Sequence, residues 1–205
     1  MLDKENIKKT GTTTVGIICK DGVVLGSEKK SVMGYLIASK EAKKIFPVAD
    51  RIAVTVAGVW GDGIALVRYL KAEIKLYEIE NKTKISVKAA ANLLSNILYS
   101  GRWTFLPYMV ELIIAGYDDK PKIFTIDAIG GLEEETKFFS TGSGSPMALG
   151  VLEDSYNENI TTEKAKEITL RAIKSAIERD IGSGGKAIDL CIITKDKLYI
   201  ETINF

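Results

Sequence analysis

The chain of 205 residues contains no histidine. That excludes every serine–histidine or cysteine–histidine nucleophile pair and every metal site ligated by histidine. Cysteine is scarce as well. Cys19 and Cys191 are the only two, each within an apolar, strand-like run, so both read as buried reduced thiols. Surplus charge is also lacking: 28 Lys+Arg against 27 Asp+Glu leave a net charge of +1, with no basic tail or stripe, which argues against nucleic acid as a partner. No apolar run reaches the roughly 18 residues of a membrane helix. The stretch "MLDKENIKKT" carries charge but no apolar segment, unlike an export signal. The tripeptides Asn81-Lys82-Thr83 and Asn159-Ile160-Thr161 match a glycosylation pattern that has no meaning without export. The expectations are a cytoplasmic location, no membrane, no metal and no cofactor. If the chain is a hydrolase, its general base is not an imidazole.

What is present is ordinary for a globular protein, with 46% hydrophobic and 27% charged residues. The length suits one domain with a large core. Residues 1–11 are polar and without periodicity, and read as an arm. From Thr12 the character changes. "TTTVGIIC" is β-branched and strand-like, "KDG" at 20–22 is a hairpin turn signal, and "VVLGSE" returns as a second strand. Further short strands are predicted at 35–39, 43–48 and 51–58. Ile64, Val67, Leu70, Ile74 and Tyr77 then recur at helical steps, predicting a helix from Asp62, as cap, to about Glu80. A second helix is predicted from Val87 to Tyr99, with Ser86 as cap. Strands follow at 108–117, 122–127 and 136–141, helices at 144–155 and 162–179, and two closing strands joined at Lys195-Asp196. Grouped rather than alternating elements argue for antiparallel sheets with helices outside them. Long apolar runs suggest strands covered on both faces. The predicted class is therefore α+β, with two packed sheets that each carry a helix layer.

"KKTGTTTVGII", Lys8 to Ile18, holds the chemistry. A threonine opening a strand is commonplace. A cut between Gly11 and Thr12, however, would give Thr12 a free α-amine with a pKa of about 7.7–8.0. That is close to ideal for a general base at neutral pH. Nucleophile and base would then sit on one residue, with no need of histidine. The β-methyl would restrict χ1 and help aim Oγ1. Gly11 would let the backbone bend so that the hydroxyl could attack its own preceding carbonyl.

The blocks "GTTTVGIICKDGVVLG", "YLIASKEAKKIF", "IAVTVAGVWGD", "TGSGSPMALGVLED" and "ERDIGSGG" resemble the landmarks of proteasome β subunits, especially archaeal ones. They follow the family's order and spacing across nearly the whole chain from Thr12. The resemblance implies a four-layer α/β/β/α sandwich of the N-terminal nucleophile hydrolase type. It implies a propeptide at 1–11, removed on maturation, before a single domain at 12–205. It makes Thr12 the catalytic threonine, Lys44 the lysine beside it, and Glu28 that lysine's carboxylate partner. Ser143, Asp180 and Ser183 become the groups around the threonine amine, and the Gly58 N–H becomes the oxyanion donor. Ser31, Val32, Ala42, Phe46, Val56, Trp60 and Ile64 match the substrate pocket. Seven-membered β rings stacked between α-subunit rings are implied as partners, with unfolded polypeptide threaded in by an ATP-driven unfoldase cap. An open pocket with Val56 at its base would favour apolar residues before the cut.

Three positions depart from the family pattern. Glu28 stands where the family has aspartate, and its extra methylene shifts the carboxylate by about a bond length. Val32 replaces the usual threonine or serine. Trp60 replaces a small pocket residue, so an indole could shrink or fill the pocket, or point into a subunit interface. The departures keep open a weak or silent structural β subunit beside an active sister. Another N-terminal nucleophile hydrolase, such as the bacterial two-ring relative or an amidase, is a further alternative.

Overall fold

The computed structural model describes residues 11–101, 103 and 107–205, so the arm expected at 1–11 lies outside the described residues except for Gly11. The first hairpin forms at the turn signal. Strands β1 (Thr14–Cys19) and β2 (Gly22–Glu28) pair antiparallel with Cys19 opposite Gly22. Strands β3 (Ser31–Met33) and β4 (Leu36–Ser39) make a separate two-stranded ribbon. Strands β5 (Ile45–Ala49) and β6 (Ile52–Gly58) lead into helices α1 (Trp60–Asn81) and α2 (Val87–Gly101). Then come β7 (Val110–Tyr117), β8 (Pro121–Ile126), β9 (Leu132–Glu135) and β10 (Phe138–Thr141). Helices α3 (Ser145–Ser155) and α4 (Thr162–Arg179) precede β11 (Ala187–Thr194) and β12 (Leu198–Asn204).

The strands form two five-stranded antiparallel sheets, ordered β10–β1–β2–β11–β12 and β5–β6–β7–β8–β9. Alternation along each strand explains the long apolar runs. On β2, Val24 faces α4, whereas Val23 and Leu25 face the other sheet. On β6, Val54 and Val56 face α1 and α2, whereas Ala53 faces inward. Val23, Val24 and Leu25 are all fully buried, and each such side chain contributes roughly 1.5–3 kcal/mol. Three apolar cores therefore lie between four layers, in the predicted α/β/β/α order. Cys19 and Cys191 are buried free thiols, and burial pushes both up to about 12.

Helix α2 starts as predicted, with Ser86 Oγ accepting from Ala89 N at 3.1 Å. Helix α1 does not. It begins at Trp60, before Asp62, and its N-cap Val59 has no side-chain bond. The Asp62 carboxylate instead accepts from Met109 N at 2.9 Å, tying the helix start to the approach to β7. Among the described residues, no helix is long and apolar enough to cross a membrane.

Candidate active site

Antiparallel pairing brings the predicted residues to one end of the sandwich. Thr12 lies just before β1, and Glu28 ends its partner β2. Lys44 lies just before β5, and Gly58 ends the neighbouring β6. Ser143 sits between β10 and α3, and Asp180 and Ser183 lie between α4 and β11. Below this end, Thr14 Oγ1 meets Thr141 Oγ1 at 2.7 Å and Thr55 Oγ1 at 3.0 Å, a hydroxyl link between the two sheets.

With the Gly11–Thr12 bond intact, the Thr12 hydroxyl donates to the Gly11 carbonyl oxygen at 2.6 Å. Lys44 Nζ donates to the same Oγ1 at 2.9 Å and pairs closely with Glu28 Oε1. The Glu28 carboxylate is fully buried and gathers three further donors: Thr13 N at 3.3 Å, Lys30 N at 2.6 Å and Gly184 N at 3.0 Å. The longer glutamate therefore does reach Lys44. Four donors match the lone-pair capacity of a carboxylate, which lets the group stay ionised out of water. Burial still raises the Glu28 carboxyl above its usual range, opposed by the charge and hydrogen bond of Lys44. Burial likewise lowers the Lys44 ammonium, opposed by Glu28. Each shift makes the charged form harder to keep, so the lysine is readier than an ordinary one to act as a proton acceptor.

A second chain of bonds holds the other side of Thr12. Its backbone N–H donates to Ser143 Oγ at 3.2 Å, and Ser143 donates to Asp180 Oδ2 at 2.6 Å. Ser183 Oγ also donates to Asp180 Oδ2 at 2.6 Å. Ser183 has then spent its one proton, so its 2.6 Å contact with Thr13 Oγ1 is donated by Thr13. Thr13, Lys30 and Gly184 are parts of the site that the sequence reading did not single out. Thr13 and Gly184 lie within the quoted "GTTTVGIICKDGVVLG" and "ERDIGSGG" blocks; nothing in the sequence marked Lys30.

Gly58 adopts φ +114, where a side chain would run into Met109 O of the adjoining segment. It lines a recess of about 30 Å³ together with Gly11, Thr12, Lys30, Ser31, Val32, Lys44, Val56 and Trp60. Of the residues expected at the substrate pocket, Ser31, Val32, Val56 and Trp60 share this recess. Ala42, Phe46 and Ile64 do not line this recess. Phe46 packs on Trp60 instead, with ring centroids 6.2 Å apart.

A buried threonine at the end of a four-layer α/β/β/α sandwich, facing a buried lysine–carboxylate pair, fits the N-terminal nucleophile hydrolase fold. The profile of the proteasome subunit family matches residues 8–193, so the chain belongs to that family. It is 54% identical over 190 residues to the proteasome subunit beta of Archaeoglobus profundus, covering 92% of this chain and 87% of that one. It is 52% identical over 192 residues to that of Ferroglobus placidus, covering 93% and 90%. It is 46% identical over 198 residues to proteasome subunit beta 2 of Thermococcus gammatolerans, covering 97% and 98%. The chain is a β subunit of the archaeal-type proteasome core particle. Such subunits assemble with α subunits in stacked rings and are in general threonine peptidases.

Proposed function

We propose that this subunit is an active threonine endopeptidase whose nucleophile, Thr12, is released by cleavage of the Gly11–Thr12 bond. The observation that carries the reading is the Thr12 hydroxyl held between the Gly11 carbonyl oxygen and Lys44 Nζ, at 2.6 Å and 2.9 Å. In the uncut chain the Thr12 nitrogen is an amide and cannot serve as base. Lys44, lowered by burial, takes the proton as Oγ1 attacks the Gly11 carbonyl carbon. The C–N bond breaks, the nitrogen gains a proton, and an ester joins Gly11 to Oγ1. Water hydrolyses it, leaving residues 1–11 as a released propeptide and 12–205 as the mature domain.

In the mature site the Thr12 amine sits beside Ser143, with Asp180 and Ser183 behind it. Oγ1 attacks a substrate carbonyl, the Gly58 N–H stabilises the oxyanion, and the amine protonates the leaving nitrogen. Water activated by the same amine then frees the acyl group. The substrates are unfolded polypeptides threaded through the α ring by an ATP-driven cap in the cytoplasm. The test is peptide hydrolysis by the particle assembled with its α subunits. We expect turnover from the parent and a loss of at least about 1000-fold from Thr12→Ala. Equal turnover by the two would place the activity elsewhere.

A further inference from the structure

We propose that Trp60 restricts this site to cleavage after small residues, namely glycine, alanine or serine. The inference rests on Thr12 being the nucleophile. The recess beside Thr12 measures about 30 Å³, room for about two waters. By contrast, the cavity lined by Glu111, Thr141 and Ser145 measures about 490 Å³. Gly11 also lines the recess, next to Thr12 Oγ1. Its departure frees room where a substrate's own backbone must run, rather than room for a side chain.

The Val56 wall has little freedom to retreat. Val56 is backed by α1 so closely that a Cβ on Gly63 would collide with Val56 Cγ1. The Trp60 indole rests on the Phe46 ring at an interplanar angle of 54°. Of the two lysines of the recess, Lys44 is held by Glu28 and Thr12, and Lys30 Nζ donates to Ile181 O at 2.7 Å. A leucine or phenylalanine would have to displace the indole, whereas an alanine would not.

Peptide vinyl sulfones ending in alanine or leucine test this on the assembled particle. Thr12 Oγ1 adds to the alkene β-carbon and its proton ends on the α-carbon, so the chain gains the whole probe mass. The expected labelling rate favours the alanine probe by about 10–200-fold, the usual worth of extra methylenes in a tight pocket. Trp60→Ala should abolish or reverse that ratio, with Trp60→Val as a milder second variant; position 60 is 43% exposed, outside the packed core. Leucine labelling as fast as alanine labelling in the parent, or a ratio unmoved in both variants, overturns the inference. A parent inert to leucine that reacts with it once Trp60 is truncated supports it. A chain inert to both probes in all three forms contradicts the nucleophile reading itself, and the inference falls with it.

Discussion

Gly11 and Gly182 pack backbone to backbone. A side chain on Gly11 would run into the Gly182 Cα, and one on Gly182 into the Gly11 Cα. The glycine before Thr12 thus has a steric cause beyond ease of bending. It lets the chain pass the loop that carries Asp180 and Ser183, so that the Gly11 carbonyl oxygen meets the Thr12 hydroxyl. Gly182 is in turn fixed by its N–H, which donates to Asp180 Oδ1 at 3.1 Å.

The first prediction concerns this contact. Gly11→Ala and Gly182→Ala should each slow cleavage of the Gly11–Thr12 bond by about 100-fold, the effect of a displacement near 1 Å at a reacting centre. Time courses of intact mass after assembly would show it. Cleavage at the parental rate in both variants would mean that the close approach has no part in the reaction.

A second prediction concerns pH. Burial lowers the Lys44 ammonium from its ordinary 10.5, so its neutral amine is populated at lower pH than that of a free lysine. The cleavage rate of the uncut chain should therefore rise with pH along a limb below the ordinary lysine range. Lys44→Arg keeps the cation but removes the base, and should cost about 100- to 10,000-fold and erase the limb. A profile unchanged in shape would show that another group takes the proton.

Glu28 supports a third. Removing its carboxylate leaves a buried ammonium and the N–H groups of Lys30 and Gly184 unpaired. Glu28→Ala should destabilise the fold by about 3–5 kcal/mol, read from denaturant midpoints of the isolated chain. The sign of its pH dependence follows from the raised carboxyl. Folding favours the protonated form, so that contribution is present below the ordinary glutamate range and is lost as pH rises through the raised value. The variant should lack this slope. A shift under about 1 kcal/mol would mean that the pair contributes little.

Much of this was legible in the sequence because local pattern and tertiary placement agree. Alternating apolar runs gave most strands, and Ser86 and the 162–179 periodicity gave two helices. Strand β9 was missed because Leu132–Glu135 carries three glutamates, which pattern reasoning assigns to loop; it is tolerable as a charged edge strand. Ribbon strand β3 has only three residues, too few for a period. Asp62 looked like a cap because sequence cannot show that its carboxylate is taken by Met109 N across 47 positions. At the candidate site, block resemblance singled out Thr12, Lys44 and Asp180, which the fold brings together. It could not say whether Glu28 reaches Lys44, since that depends on the amides of Thr13, Lys30 and Gly184 converging from three segments. Nor could it foresee that Phe46 packs against Trp60 rather than lining the recess.

The most direct measurement is the intact mass of this chain in the assembled particle, for the parent and for Thr12→Ala. The parent should lose the mass of residues 1–11, and a Thr12→Ala chain with no active neighbour should keep it. A parent that keeps its full mass in the complete particle would mean the Thr12 amine is never freed, and the assignment of Thr12 as nucleophile would be wrong.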